Sequence, residues 1–168
     1  GRPMHSWRVL LLPYLGQESL YRQYNLSKPW DDPQNQLLAA QMPSVYHCPS
    51  SFNVAGSETS YMVVTGPDAV FRGNQSASIH EIRDGAARTL LAVEMTGNAI
   101  NWLEPRDLSQ DTLPLAINGA AATGIGSNHP TGGAHVLLAD GTVTFLSDLT
   151  SPETLEALLT IDAADGPA

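Results

Sequence analysis

The chain has 168 residues, 42% of them hydrophobic and 15% charged, and its 17 acidic and 8 basic side chains give a net charge of −9. Length and apolar content suit one ordinary domain with its own core and exclude a disordered chain or a coiled coil. No basic stripe is present to neutralise nucleic-acid phosphates or hold an anionic membrane, and the single cysteine, Cys48, rules out an intrachain disulfide or a Cys-rich zinc site.

The first apolar run, Val9-Leu10-Leu11-Leu12, stops at Pro13, far short of the roughly 20 residues that span a bilayer. Over residues 6–24, Ser6 can cap a helix, and Trp7, Leu10, Leu11, Tyr14 and Leu15 follow a helical spacing. Pro13 and Gly16 break that spacing, so it predicts two short helices or one bent helix. Asp32-Pro33 predicts a second helix, because Asp accepts free N–H groups and Pro tolerates the first helical position. That helix should end before Pro43, with Trp30 anchoring the preceding PWDDP segment.

The period then changes. Val45-Tyr46 and residues 60–65 (SYMVVT) read as strands, and Gly66-Pro67-Asp68 as a turn. Ser78 caps one helical turn closed by Asp84-Gly85, and Thr89 to Met95 reads as a central strand. Residues 97–127 carry little pattern, which is long for a connection and points to a functional segment or a packed cover fixed by Trp102, Pro105 and Arg106. Asp140-Gly141 predicts a type I′ hairpin, with Val136 and Leu138 on one arm and Val143 and Phe145 on the other. Thr150 and Glu153 are spaced as a capping box for a last helix buried through Leu155, Leu158 and Leu159, and residues 163–168 read as a fraying tail. Helices, then mostly antiparallel strands, then a helix make a single α+β domain with N-terminal helices packed on an antiparallel sheet. Without regular strand–helix alternation, a dinucleotide fold is excluded.

Ser127, His129, His135 and Asp140 are the parts of a nucleophilic triad, with Ser127 as nucleophile, either histidine as base and Asp140 as orienter. The segment is not a G-x-S-x-G elbow, however, and Asp140 already has a structural task in the turn. Glu104, Asp107 and Asp111 could offer oxygens to calcium, although Arg106 competes for them and no EF-hand pattern is present. His5, His47, His80, His129 and His135 form no H-E-x-x-H motif, and the spacing of the last two across Gly132-Gly133 is loose for zinc. Gly124, Gly126, Gly132 and Gly133 lack the lysine of a phosphate loop. Cys48 beside Pro49 reads as a small buried hydrophobe. Trp7, Trp30 and Trp102 read as core, with a carbohydrate- or peptide-binding face as the alternative.

Taken together, SWRVLLLPYLGQESLY, PWDDPQN, VYHCPSS, TSYMVVTGPDAVF, EIRDGAARTLLAVEM, INWLEPRDL and SNHPTGGAHVLLADGTVTFL occur in an order that resembles the DUF1559 family, abundant in planctomycete-type bacteria. The family is described as prepilin-like, with an H-x9-DG signature near the C-terminus. Here ten residues separate His129 from Asp140, Thr131 being the extra one. The resemblance implies a type IV pilin or pseudopilin relative, a globular head on an antiparallel sheet whose leader and N-terminal hydrophobic helix are absent from this sequence. The leading expectation is therefore a non-enzymatic, extracytoplasmic head in surface assembly or secretion. It needs no cofactor, and its partners are other pilin-like or secretion-system subunits. It does not bind nucleic acid and reaches a membrane only through the missing helix. The alternative is a small hydrolase of an ester, lactone or amide, calcium-dependent in one form. It uses the Ser127 constellation with the Gly132-Gly133 amides as oxyanion donors, or a metal-bound water.

Overall fold

Short helices begin the chain, strands fill most of the remainder, and a helix closes it. The computed structural model describes residues 3–51, 56–73, 75–95, 97, 99–119 and 123–162. The chain divides into two units, Gly1–Ser60 with Ala99–Arg106, and Tyr61–Asn98 with Asp107–Ala168.

Unit 1 is helical. Helix α1 (Trp7–Leu10) starts at Ser6, whose hydroxyl accepts the Arg8 N–H. A 3-10 turn at Leu12–Leu15 contains Pro13 and ends at Gly16, whose φ of 70° is a left-handed stop. Helix α2 (Glu18–Gln23) follows, so the proline and glycine split the segment as their chemistry requires. Helix α3 (Pro33–Gln36) is capped by Asp32, which accepts the Gln34 N–H. It is shorter than the expected run to Pro43, and a separate 3-10 turn covers Ala39–Gln41. The buried Asn35 side chain bonds the backbone of Asn25, Lys28 and Pro29, which ties this turn to the preceding loop. The strand expected at Val45-Tyr46 is instead a 3-10 turn, Ser44–Tyr46, begun by Pro43. Its Tyr46 faces inward, where its hydroxyl donates to Arg8 O at 2.7 Å.

The core of unit 1 joins Val9, Leu12, Leu20, Tyr24, Leu38, Tyr46, Trp102 and Leu103, with Trp7 and Trp30 against it. Trp102 is wholly buried and stacks on Tyr46 at 6.1 Å between centroids. Its indole N–H donates to Ala39 O at 3.0 Å. The long, weakly patterned segment thus serves here as packed cover, with Trp102 as its anchor. The PWDDP segment is held by the Trp30 backbone N–H, which donates to Met4 O, and by the Trp30 side chain packed against the core.

Unit 2 contains two sheets. One has the order β1 (Tyr61–Met62), β5 (Leu90–Glu94), β7 (Gly133–Leu138), β8 (Val143–Ser147), all antiparallel. The other has the order β4 (Gln75–Ser76), β3 (Phe71–Arg72), β2 (Val64–Thr65), β6 (Leu108–Ser109), with β2 parallel to both its neighbours. The 60–65 run is therefore two strands, parted at Val63 and assigned to different sheets. β5 is central, as its continuous apolar run predicts. Ser78 and Glu81 bracket the 3-10 turn Ile79–Glu81, the Ser78 N–H donating to Glu81 at 2.7 Å. Val70, Ile82 and Ile161 form one buried cluster.

The β7–β8 turn is not type I′, which needs φ > 0 at both central residues. Among described non-glycine residues only Asn118 has φ > 0, so Asp140 does not. Gly141 has φ 89°, its N–H donates to Leu138 O, and the Leu138 N–H donates to Thr142 O. These bonds define a three-residue loop, a type I turn followed by a glycine bulge. Helix α4 (Pro152–Leu159) is capped one residue later than the Thr150 box implied, because Ser151 accepts the Thr154 N–H and Pro152 takes the first helical position. Leu155 and Leu159 are buried and Leu158 half-buried. The tail at 163–168 lies outside the described residues. Helices, two sheets and a C-terminal helix make the chain α+β. Among the described residues no helix is long and apolar enough to cross a membrane.

Candidate functional site

The expected site residues are dispersed in part and converge in part. Glu104 belongs to unit 1, where its carboxylate pairs with Arg106 at 3.0 Å. In unit 2, the Asp107 carboxylate accepts the Val63 N–H at 3.1 Å, which fastens the chain beside β6 to the sheet. Asp111 lies exposed in the turn after β6. Asp140 sits at the tip of the β7–β8 hairpin and accepts the Thr142 N–H at 2.8 Å. It lies five positions beyond His135, the first three of them in strand at about 3.3 Å each. Ser127 is buried, and its hydroxyl donates to Gly133 O at 2.6 Å while accepting the His129 N–H at 3.1 Å. That hydroxyl is thus committed to folding the loop. The Gly132 N–H is likewise engaged, donating to His129 O.

His129 and His135 do meet, around a residue absent from the expected set. Glu94 ends β5 and is 2% exposed. Its carboxylate lies 3.2 Å from His129 Nε2 and 3.4 Å from His135 Nδ1. His135 Nδ1 is 3.1 Å from His129 Nε2, and the two rings meet edge to face at 4.8 Å between centroids. The His135 backbone N–H also donates to Glu94 Oε2 at 2.6 Å.

The local fold explains this convergence. β5 pairs with β7 at Leu90–Leu138, then shifts register before Ala92–Leu137 and Val93–Val136. The irregularity re-aims the end of β5, so that Glu94 falls beside His135. On the other side of β7, Phe145 of β8 is the register partner of His135 and sets its ring 5.1 Å from that imidazole and 6.2 Å from His129. His129 arrives from the loop before β7. The Gly126 N–H donates to Glu94 O, drawing that loop alongside β5. Asn118, at φ 54°, takes the Ser127 N–H on its side-chain oxygen at 2.8 Å. Asparagine enters this left-handed region at little cost. Gly133 is required for the close approach, since a Cβ there would run into Leu146 O and the Phe145 ring.

Chemically, the arrangement is a buried carboxylate holding two imidazoles. One imidazole is mostly covered and the other is 45% exposed, so solvent reaches the cluster from the His135 side. A carboxylate so placed fixes the orientation of an imidazole base or of an imidazole ligand. Glu94 carried one sequence signal, a lone acid inside the apolar run TLLAVEM, where burial of a charge demands partners. Asn118 carried none. Of the other histidines, His5 bonds the Tyr24 hydroxyl in unit 1, and His80 lies exposed in the Ile79–Glu81 turn.

A family model described as a protein of unknown function (DUF1559) matches residues 1–68. The match supports that family and covers the LLLPYLGQESLY, PWDDP and VYHCPSS phrases, while Glu94, His129 and His135 lie beyond it. No curated protein and no solved structure matches the chain.

Proposed function

We propose that the chain is a non-enzymatic, pilin- or pseudopilin-like extracytoplasmic domain that assembles with other subunits of a surface or secretion structure. The observation that carries this reading is the apolar display within the family-matched segment. Leu10, Leu11, Tyr14 and Leu15 are 49%, 40%, 84% and 37% exposed within six consecutive positions. Such a cluster normally serves contact with another protein. The antiparallel sheet of unit 2 agrees with a head domain of that type. A photo-crosslinker placed at Tyr14 in source cells tests the reading. The expected result is an adduct with a pilin-like subunit in an extracytoplasmic fraction. Fractionation with the cytoplasm, or the absence of any adduct at Tyr14, overturns it.

The hydrolase reading keeps one supporting observation, the Glu94 carboxylate that orients His129 as a general base would need. Turnover of simple esters, lactones or amides that His129→Ala abolishes in a folded chain would favour it over the assembly reading.

A further inference from the structure

We propose that Glu94, His129 and His135 form a binding site for one divalent transition-metal ion of the zinc type. Three potential ligand atoms lie together: Glu94 Oε2, His129 Nε2 and His135 Nδ1. Their mutual separations are 3.2, 3.4 and 3.1 Å. A nearly equilateral triangle of that size has a circumradius of about 1.9 Å, so an ion bound at the usual 2.0–2.1 Å lies just off its plane. Tetrahedral coordination at those bond lengths separates ligands by about 3.3 Å, and the triangle already has those edges.

His129 Nε2 lies at hydrogen-bond distance from both the Glu94 carboxylate and His135 Nδ1. A single hydrogen on that nitrogen serves one of these acceptors or is shared between them. A cation at the centre would meet all three donor atoms at once. The buried Glu94 side chain supplies an oxygen donor, and the imidazoles supply nitrogen donors. Calcium prefers six to eight oxygens, whereas zinc and its neighbours accept two imidazoles and a carboxylate.

The site is held in advance of any ion. The Ser127 turn, the β5 irregularity and the β7–β8 pairing each fix one ligand, and Phe145 walls one side with an apolar ring. Three protein ligands fill three of the four positions of a tetrahedral zinc ion. This inference is independent of the assembly reading.

The test uses the full, metal-stripped chain. Zinc is titrated by calorimetry, zinc per chain is counted by atomic emission after dialysis, and Co2+ is followed by its visible absorption. One ion per chain is expected, with a ligand-field band from Co2+. His135→Asn, at the most exposed of the three ligands, should weaken zinc binding at least about tenfold while circular dichroism stays unchanged. His129→Asn should do the same, and His80→Asn should leave binding intact. Glu94→Gln is the less informative variant because the residue is buried and its replacement perturbs the fold as well as the site. Absence of stoichiometric zinc binding, or binding that His135→Asn and His129→Asn both leave unchanged, overturns the proposal.

Discussion

Asn35 is wholly buried and has a single carboxamide with which to hold a loop. Its side-chain oxygen accepts the Asn25 N–H at 2.8 Å, and its amide faces the carbonyls of Asn25, Lys28 and Pro29. Removing it strands several buried backbone groups, each worth about 1–3 kcal/mol of desolvation. Asn35→Ala should therefore lower stability by about 3 kcal/mol, read as a fall in the urea midpoint at constant m value. Ser127 is a similar case. Its hydroxyl joins Gly133 O to the His129 N–H, so Ser127→Ala should cost about 1–2 kcal/mol. A nucleophile would behave differently, losing turnover while keeping its thermal midpoint.

At the scale of elements, the β7–β8 turn depends on a left-handed residue, and Gly141 provides it at φ 89°. Gly141→Ala should destabilise the hairpin by about 1 kcal/mol, visible as faster amide exchange along β8. The Ile79–Glu81 turn carries a pH signature. The Glu81 carboxyl is held below its ordinary value of 4.5, first by the Ser78 backbone N–H and then by the Ser78 side chain, with Arg72 assisting. A depressed folded value means stability that is present above the ordinary carboxylate range and lost as pH falls through the lower folded one. The gap in urea midpoint between the native chain and Glu81→Gln should thus be widest near about pH 6 and shrink toward about pH 3. The same scale shows what the sequence made legible. Caps, prolines and glycines act over a few residues, so the split at residues 6–24, the Asp32 start, strand β5 and the hairpin could be read directly. Val45-Tyr46 could not, because strand preference is set by neighbours in space. The histidines of the cluster were visible as residues. Their meeting was not, because Gly132 and Gly133 set the path between them and Glu94 arrives through strand pairing from 35 residues away.

At the scale of the whole molecule, the two units carry different chemistry. Unit 1 holds two buried phenols. Burial, aided by Asp31, pushes Tyr24 up to about 12, and burial against the opposing pull of Arg8 does the same for Tyr46. Folded values above the ordinary 10 describe stability that is complete below that range and lost as pH rises through about 12. An ultraviolet phenolate titration should show a late phase near 12 that moves toward 10 once the chain is unfolded in urea. The histidine cluster belongs wholly to unit 2.

All three tryptophans of the chain, Trp7, Trp30 and Trp102, fall within unit 1. Intrinsic fluorescence is therefore a reporter on the helical unit alone, and unit 2 has no indole emission of its own. The thermal melt of that fluorescence follows unit 1, while far-ultraviolet circular dichroism follows both, so a difference between the two melting curves would isolate the strand-built unit.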